Sequence, residues 1–66
     1  MQNTDQQKIG FFIKELREKK GLTQKAFADA LATSQSAIAR MEKGEQNFST
    51  EILEKISEVL GHQIIS

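Results

Sequence analysis

At 66 residues and without cysteine, the chain has room for a single core and none for a disulfide or thiolate metal site. The absence of proline, tryptophan and tyrosine, with few β-branched runs, points to an all-α fold. No basic start runs into an apolar segment and no stretch is long enough to span a bilayer, so a cytoplasmic, membrane-free protein is expected.

Nine basic and nine acidic side chains cancel, which at first argues against a nucleic-acid partner. Their distribution argues the other way. Eight bases (Lys8, Lys14, Arg17, Lys19, Lys20, Lys25, Arg40, Lys43) face four acids (Glu15, Glu18, Asp29, Glu42) over residues 8–43, a net +4. The remainder sets Asp5, Glu45, Glu51, Glu54 and Glu58 against Lys55, a net −4. That asymmetry suggests a basic working face and an acidic far side.

In chain order, Thr4 with Gln7 three residues on reads as a capping box that opens a first helix over about 5–20. Ile9, Phe12, Ile13 and Leu16 follow at i, i+3, i+4, i+7 and predict its buried stripe. Phe11 falls about 160° from Ile9 and should point away. Lys19, Lys20 and Gly21 form a C-terminal signal. Thr23 caps a second helix, about 23–32, with Phe27, Ala28 and Leu31 on one side. Thr33 or Ser34 caps a third, about 34–43, whose inward residues are Ile38 and Met41 and whose end is marked by Gly44. After a polar loop, Ser49 caps a fourth over about 49–60, with Phe48 and Leu53 as a hydrophobic staple. There Ile52, Leu53, Ile56, Val59 and Leu60 share one arc, and Glu51, Glu54 and Glu58 lie opposite. The tail 62–66 is too short for a helix and reads as an extended arm or strand. The chain is expected to be a single domain over 1–66.

Two short helices joined by a tight turn, the second offering polar residues, suit a major groove about 12 Å wide. The small Ala28 fits the place where such helices must touch. Thr23-Gln24 opens one helix and Ser34-Gln35-Ser36 the next, which Glu42-Lys43-Gly44 ends; Leu53-Glu54-Lys55-Ile56 is then followed by Leu60-Gly61. In these residues the chain resembles the Cro and phage-repressor (XRE-type) helix-turn-helix family from about Ile9 to Gly61. The resemblance implies a lambda-repressor-like bundle of four to five short helices and a DNA-binding transcriptional regulator.

It also implies residue roles. Gln35, Ser36 and Arg40 match base-reading positions, and glutamine and arginine have the donors and acceptors to bridge adenine and guanine respectively. Gln24 matches a position that meets a phosphate, where a helix N-terminus suits an anion. Lys25, Thr33, Ser34, Lys43 and Asn47 are the other expected phosphate contacts. Glu42 faces inward beside Ile38 and matches a position paired with an arginine on the first helix, here Arg17, as a structural brace. The sequence departs from the family twice. Ala32 stands where glycine is usual, at a left-handed turn position costing alanine roughly 1 kcal/mol. The tail does not resemble the fifth helix that many relatives carry.

Other chemistry finds no support in the sequence. His62 is the lone histidine, without cysteine partners, and reads as a surface residue rather than a metal ligand. No nucleophile, base or carboxylate constellation suggests an enzyme, and no cofactor is expected. Phe12 reads as core, while Phe11 with Ile64 and Ile65 is a candidate dimer or partner contact. The favoured expectation is a repressor that binds a palindromic operator as a homodimer through helix 34–43. Two alternatives stay open: an antitoxin-type regulator whose tail pairs across a dimer and which also binds a toxin protein, and a protein-interaction module with little DNA affinity.

Overall fold

Four helices connected by short turns follow one another in a computed structural model that describes residues 2–61, with side chains from residue 6 onward. They are α1 (Gln2–Lys19), α2 (Gln24–Ala30), α3 (Gln35–Lys43) and α4 (Thr50–Leu60). No strand occurs among the described residues, and the fold is an all-α bundle with the helix-turn-helix at its centre. The expected arm at 62–66 lies outside the described residues, together with His62, Ile64 and Ile65.

The later helices begin where a hydroxyl can take up an otherwise unbonded N–H. Thr23 Oγ1 accepts from Ala26 N at 3.0 Å, Ser34 Oγ from Ala37 N at 3.1 Å and Ser49 Oγ from Ile52 N at 3.2 Å. The first helix differs from expectation: it starts at Gln2, so the backbone of Thr4 lies within it. A cap-type residue permits a helix to begin but does not compel it, and neither glycine nor proline upstream prevents the extra residues from joining.

The first three helices end in one backbone motif. Leu22 N–H donates to Arg17 O (3.1 Å) and Gly21 N–H to Glu18 O; Thr33 N–H donates to Ala28 O (2.9 Å) and Ala32 N–H to Asp29 O; Glu45 N–H donates to Arg40 O (2.9 Å) and Gly44 N–H to Met41 O. These are paired six-to-one and five-to-two bonds around a left-handed residue. The left-handed residue is glycine in two cases and Ala32, at φ 57°, in the third. Ala32 is the one non-glycine residue with positive φ among those described.

Ile13, Phe27, Ile38 and Ile56, one from each helix, are the largest fully buried side chains and form the centre of the core. Ala28, Leu31, Ala37, Met41 and Leu60 complete it, and Phe48 and Leu53 pack against it at the start of α4. The buried face of α1 is not the stripe read from apolar spacing. Gly10, Ile13 and Arg17 are buried, whereas Phe12 is 39% exposed and Ile9 and Leu16 are half-buried. The face is turned by roughly 80° at 100° per residue. The cause is the approach of α3. A Cβ built on Gly10 would collide with the carbonyl oxygens of Met41 and Glu42, at 2.9 Å from the latter, so α1 and α3 meet backbone to backbone. Phe12, expected in the core, is thereby carried to the rim.

Candidate nucleic-acid interface

The inward side of α3 is fastened to two helices. Ala37, Ile38, Met41 and Glu42 are buried, the apolar three in the common core and Glu42 against Arg17. Arg17 Nε donates to Glu42 Oε2 at 2.6 Å and Nη2 to Oε1 at 3.2 Å, a forked pair whose side chains are 8% and 4% exposed. Arg17 Nη1 also donates to Leu22 O at 2.7 Å, and Gln24 Nε2 to Glu42 Oε1 at 3.0 Å. The Arg17–Glu42 pair thus ties α1, the α1–α2 turn and the first residue of α2 to α3. No buried side-chain polar atom among the described residues lacks a partner, as burial of two charges requires.

Fixing that side leaves the other free. Ser36, Arg40 and Lys43 lie within about 60° of one another on the outward face, and Gln35 joins them in the first turn. All four are exposed. A helix anchored by its apolar side, with a hydrogen-bonding and basic outer side, has the shape and chemistry of a major-groove reader.

The remaining expected contacts divide. Lys25 is exposed and lies 3.6 Å from Asp29, one turn along α2, a surface pair that costs little to break. Ser34 is exposed with its hydroxyl engaged as the α3 cap, and Thr33 is half-buried in the turn. Gln24 is half-buried, and its side-chain amide belongs to the brace rather than pointing to solvent. Asn47 is exposed, and its Oδ1 accepts from Gln6 Nε2, joining the α3–α4 loop to α1. Phe11 is 58% exposed on α1; Ile64 and Ile65, its expected companions, lie outside the described residues.

Gln46, which the sequence offers only as part of the polar loop after α3, also touches this face. Its Oε1 accepts from Arg40 Nε at 3.3 Å. A separation of six residues across a helix end follows no helical period, so hydropathy and spacing carry no signal for it. Gly10 leaves no mark on a hydropathy pattern, although the cost of a glycine inside a helix is itself a signal of close approach.

No group of three or more potential metal ligands gathers among the described residues, and no described helix is long and apolar enough to cross a membrane.

Known proteins resemble this arrangement. Residues 13–62 match the helix-turn-helix family. Over 49 residues the chain is 41% identical to the Competence pilus inhibition repressor of Acinetobacter baylyi, a match that takes in 74% of this chain and 44% of that one. The chain therefore spans less than half the length of this curated relative. Among solved structures, the restriction-modification controller protein C.AhdI from Aeromonas hydrophila aligns with a TM-score of 0.87 at 29% identity, covering 94% of this chain and 90% of that one. The clp gene regulator ClgR from Corynebacterium glutamicum aligns with a TM-score of 0.85 at 25% identity, over 89% of this chain and 63% of its own.

Proposed function

The chain belongs to the helix-turn-helix family, of the Cro and phage-repressor type, and from that premise we propose that it is a transcriptional repressor reading a palindromic operator as a homodimer. The observation that carries this reading is the outward face of α3. Gln35, Ser36, Arg40 and Lys43 are exposed together on a helix whose other side is locked to α1 and α2. In the groove, Gln35, Ser36 and Arg40 meet base edges. Lys43, Lys25, Ser34, Thr33 and Asn47 face phosphates and set the register. Gln24 meets the backbone through its amide N–H at the start of α2, its side chain being held by Glu42.

The dimer follows from information content. One short helix reads too few base pairs, and a two-fold pair doubles the site with half-sites near 34 Å apart. The relatives, named as a repressor, a controller protein and a gene regulator, support regulation rather than catalysis.

Selection from a randomised duplex pool at moderate salt tests the proposal. It is expected to enrich an inverted repeat. On that duplex Arg40→Ala abolishes preference at one base pair per half-site, while Lys43→Ala weakens all duplexes alike and lowers the salt slope by about 1. No enrichment, with weak and equal binding to every duplex, would favour a protein-interaction module instead.

A further inference from the structure

Arg40 does not stand alone on the outer face of α3. Its Nε donates to Oε1 of Gln46, a half-buried residue of the loop between α3 and α4. The loop is itself fixed. Glu45, the neighbour of Gln46, donates its N–H to the carbonyl of Arg40 at 2.9 Å, so backbone and side chain of one arginine are both bonded to this short segment. Gly44 packs so tightly on α1 that a Cβ there would lie 2.6 Å from Gln7 Cα, and Gln6 bonds Asn47 on the far side of Gln46. The chain on both sides of Gln46 is therefore held before any ligand arrives.

We propose that Gln46 is a positioning residue for base recognition: by accepting the Nε–H of Arg40 it fixes the guanidinium and turns its Nη1–Nη2 edge towards the groove. This inference rests on the reading of Arg40 as a base contact. The chemistry favours it. A guanidinium has two forked edges, and engaging Nε removes the side-on fork and leaves the end-on fork that matches guanine O6 and N7. Immobilising a long side chain opposes binding, and that cost falls only on the matched site, where the contact forms. Holding Arg40 in advance removes the cost there and leaves mismatched sites unchanged, so it widens the ratio between them.

The test uses the duplex enriched by the wild-type chain and a panel carrying one substituted base pair each. Arg40→Ala first identifies the pair that Arg40 reads, where wild type should discriminate about tenfold or more. Gln46→Ala is expected to lower discrimination at that pair, and at no other, by about two- to tenfold. Added to Arg40→Ala it should change nothing further. Gln46→Glu keeps an acceptor for Nε and should restore the ratio, even as its charge weakens binding to every duplex. A merely structural loop residue would lower all affinities together and would not be rescued in this way. Wild-type discrimination in Gln46→Ala, with Arg40→Ala abolishing it, would overturn the positioning role alone. Loss at a different pair would also overturn it, since Gln46 would then read a base itself. Discrimination retained by Arg40→Ala throughout the panel, or no enriched duplex at all, would remove Arg40 as a reader and the inference with it.

Discussion

The two contacts that hold α3 are built from different materials. Towards α2, Phe27, Ala28 and Leu31 meet Ile38 and Met41 in one apolar cluster, across a turn made by Ala32. Towards α1, α3 lies on the bare backbone of Gly10 and is joined by the forked Arg17–Glu42 pair. The first contact rests on the removal of apolar surface from water, which tolerates small adjustments in side-chain packing. The second rests on close approach and a buried charge pair, which tolerate almost none. What orients the outward face of α3 is thus a stiff contact on one side and a forgiving one on the other.

Three substitutions test that contrast, and urea melts followed by circular dichroism read all of them. The largest effect is expected from Glu42→Ala, which leaves the buried Arg17 only the exposed Glu18 carboxylate, 3.8 Å away, as a charge partner, at a cost of about 3 kcal/mol. A 66-residue domain has roughly 3–10 kcal/mol in all, so this loss is a large share of the total and the urea midpoint should fall steeply. A loss below about 1 kcal/mol, the range of exposed pairs, would mean that the brace is a surface ornament.

Gly10→Ala comes next and puts two principles in opposition. Helix propensity alone favours alanine by about 1 kcal/mol, whereas overpacking costs about 1–3 kcal/mol. Because the opposing atoms are backbone carbonyls that cannot rotate away, a net loss of about 1–2 kcal/mol is expected. A more stable variant would remove the close approach from the account.

The smallest effect belongs to the turn. Ala32→Gly relieves the left-handed alanine but adds freedom to the unfolded chain, and a net gain of under about 1 kcal/mol is expected. A loss would indicate that the methyl group contributes packing that its exposure does not suggest.

The same contrast separates what the sequence makes legible from what it does not. The α2–α3 contact can be read directly, because Phe27, Ile38 and Met41 stand at helical spacing and Thr23 and Ser34 mark the caps. The left-handed Ala32 is also anticipated, as a departure from the glycine that resemblance leads one to expect. The α1–α3 contact escapes hydropathy altogether. Glycine contributes no side chain to a periodic pattern and arginine counts as polar, so the stripe drawn through Ile9, Phe12 and Leu16 is rotated away from Gly10 and Arg17. Family resemblance, not spacing, is what joins Arg17 to Glu42. Within the candidate interface, the outward set Gln35, Ser36, Arg40 and Lys43 follows from the wheel. The commitment of the Gln24 amide to Glu42 and the support of Arg40 by Gln46 depend on tertiary contacts that no local pattern encodes.

Whether the outward face of α3 meets DNA can be read from backbone and side-chain NMR shifts on titration with the enriched duplex. The largest changes are expected on Gln35, Ser36, Arg40 and Lys43, with Glu51, Glu54 and Glu58 on α4 unaffected. Changes centred on α4 or on Phe11 and Phe12, with α3 silent, would contradict that contact.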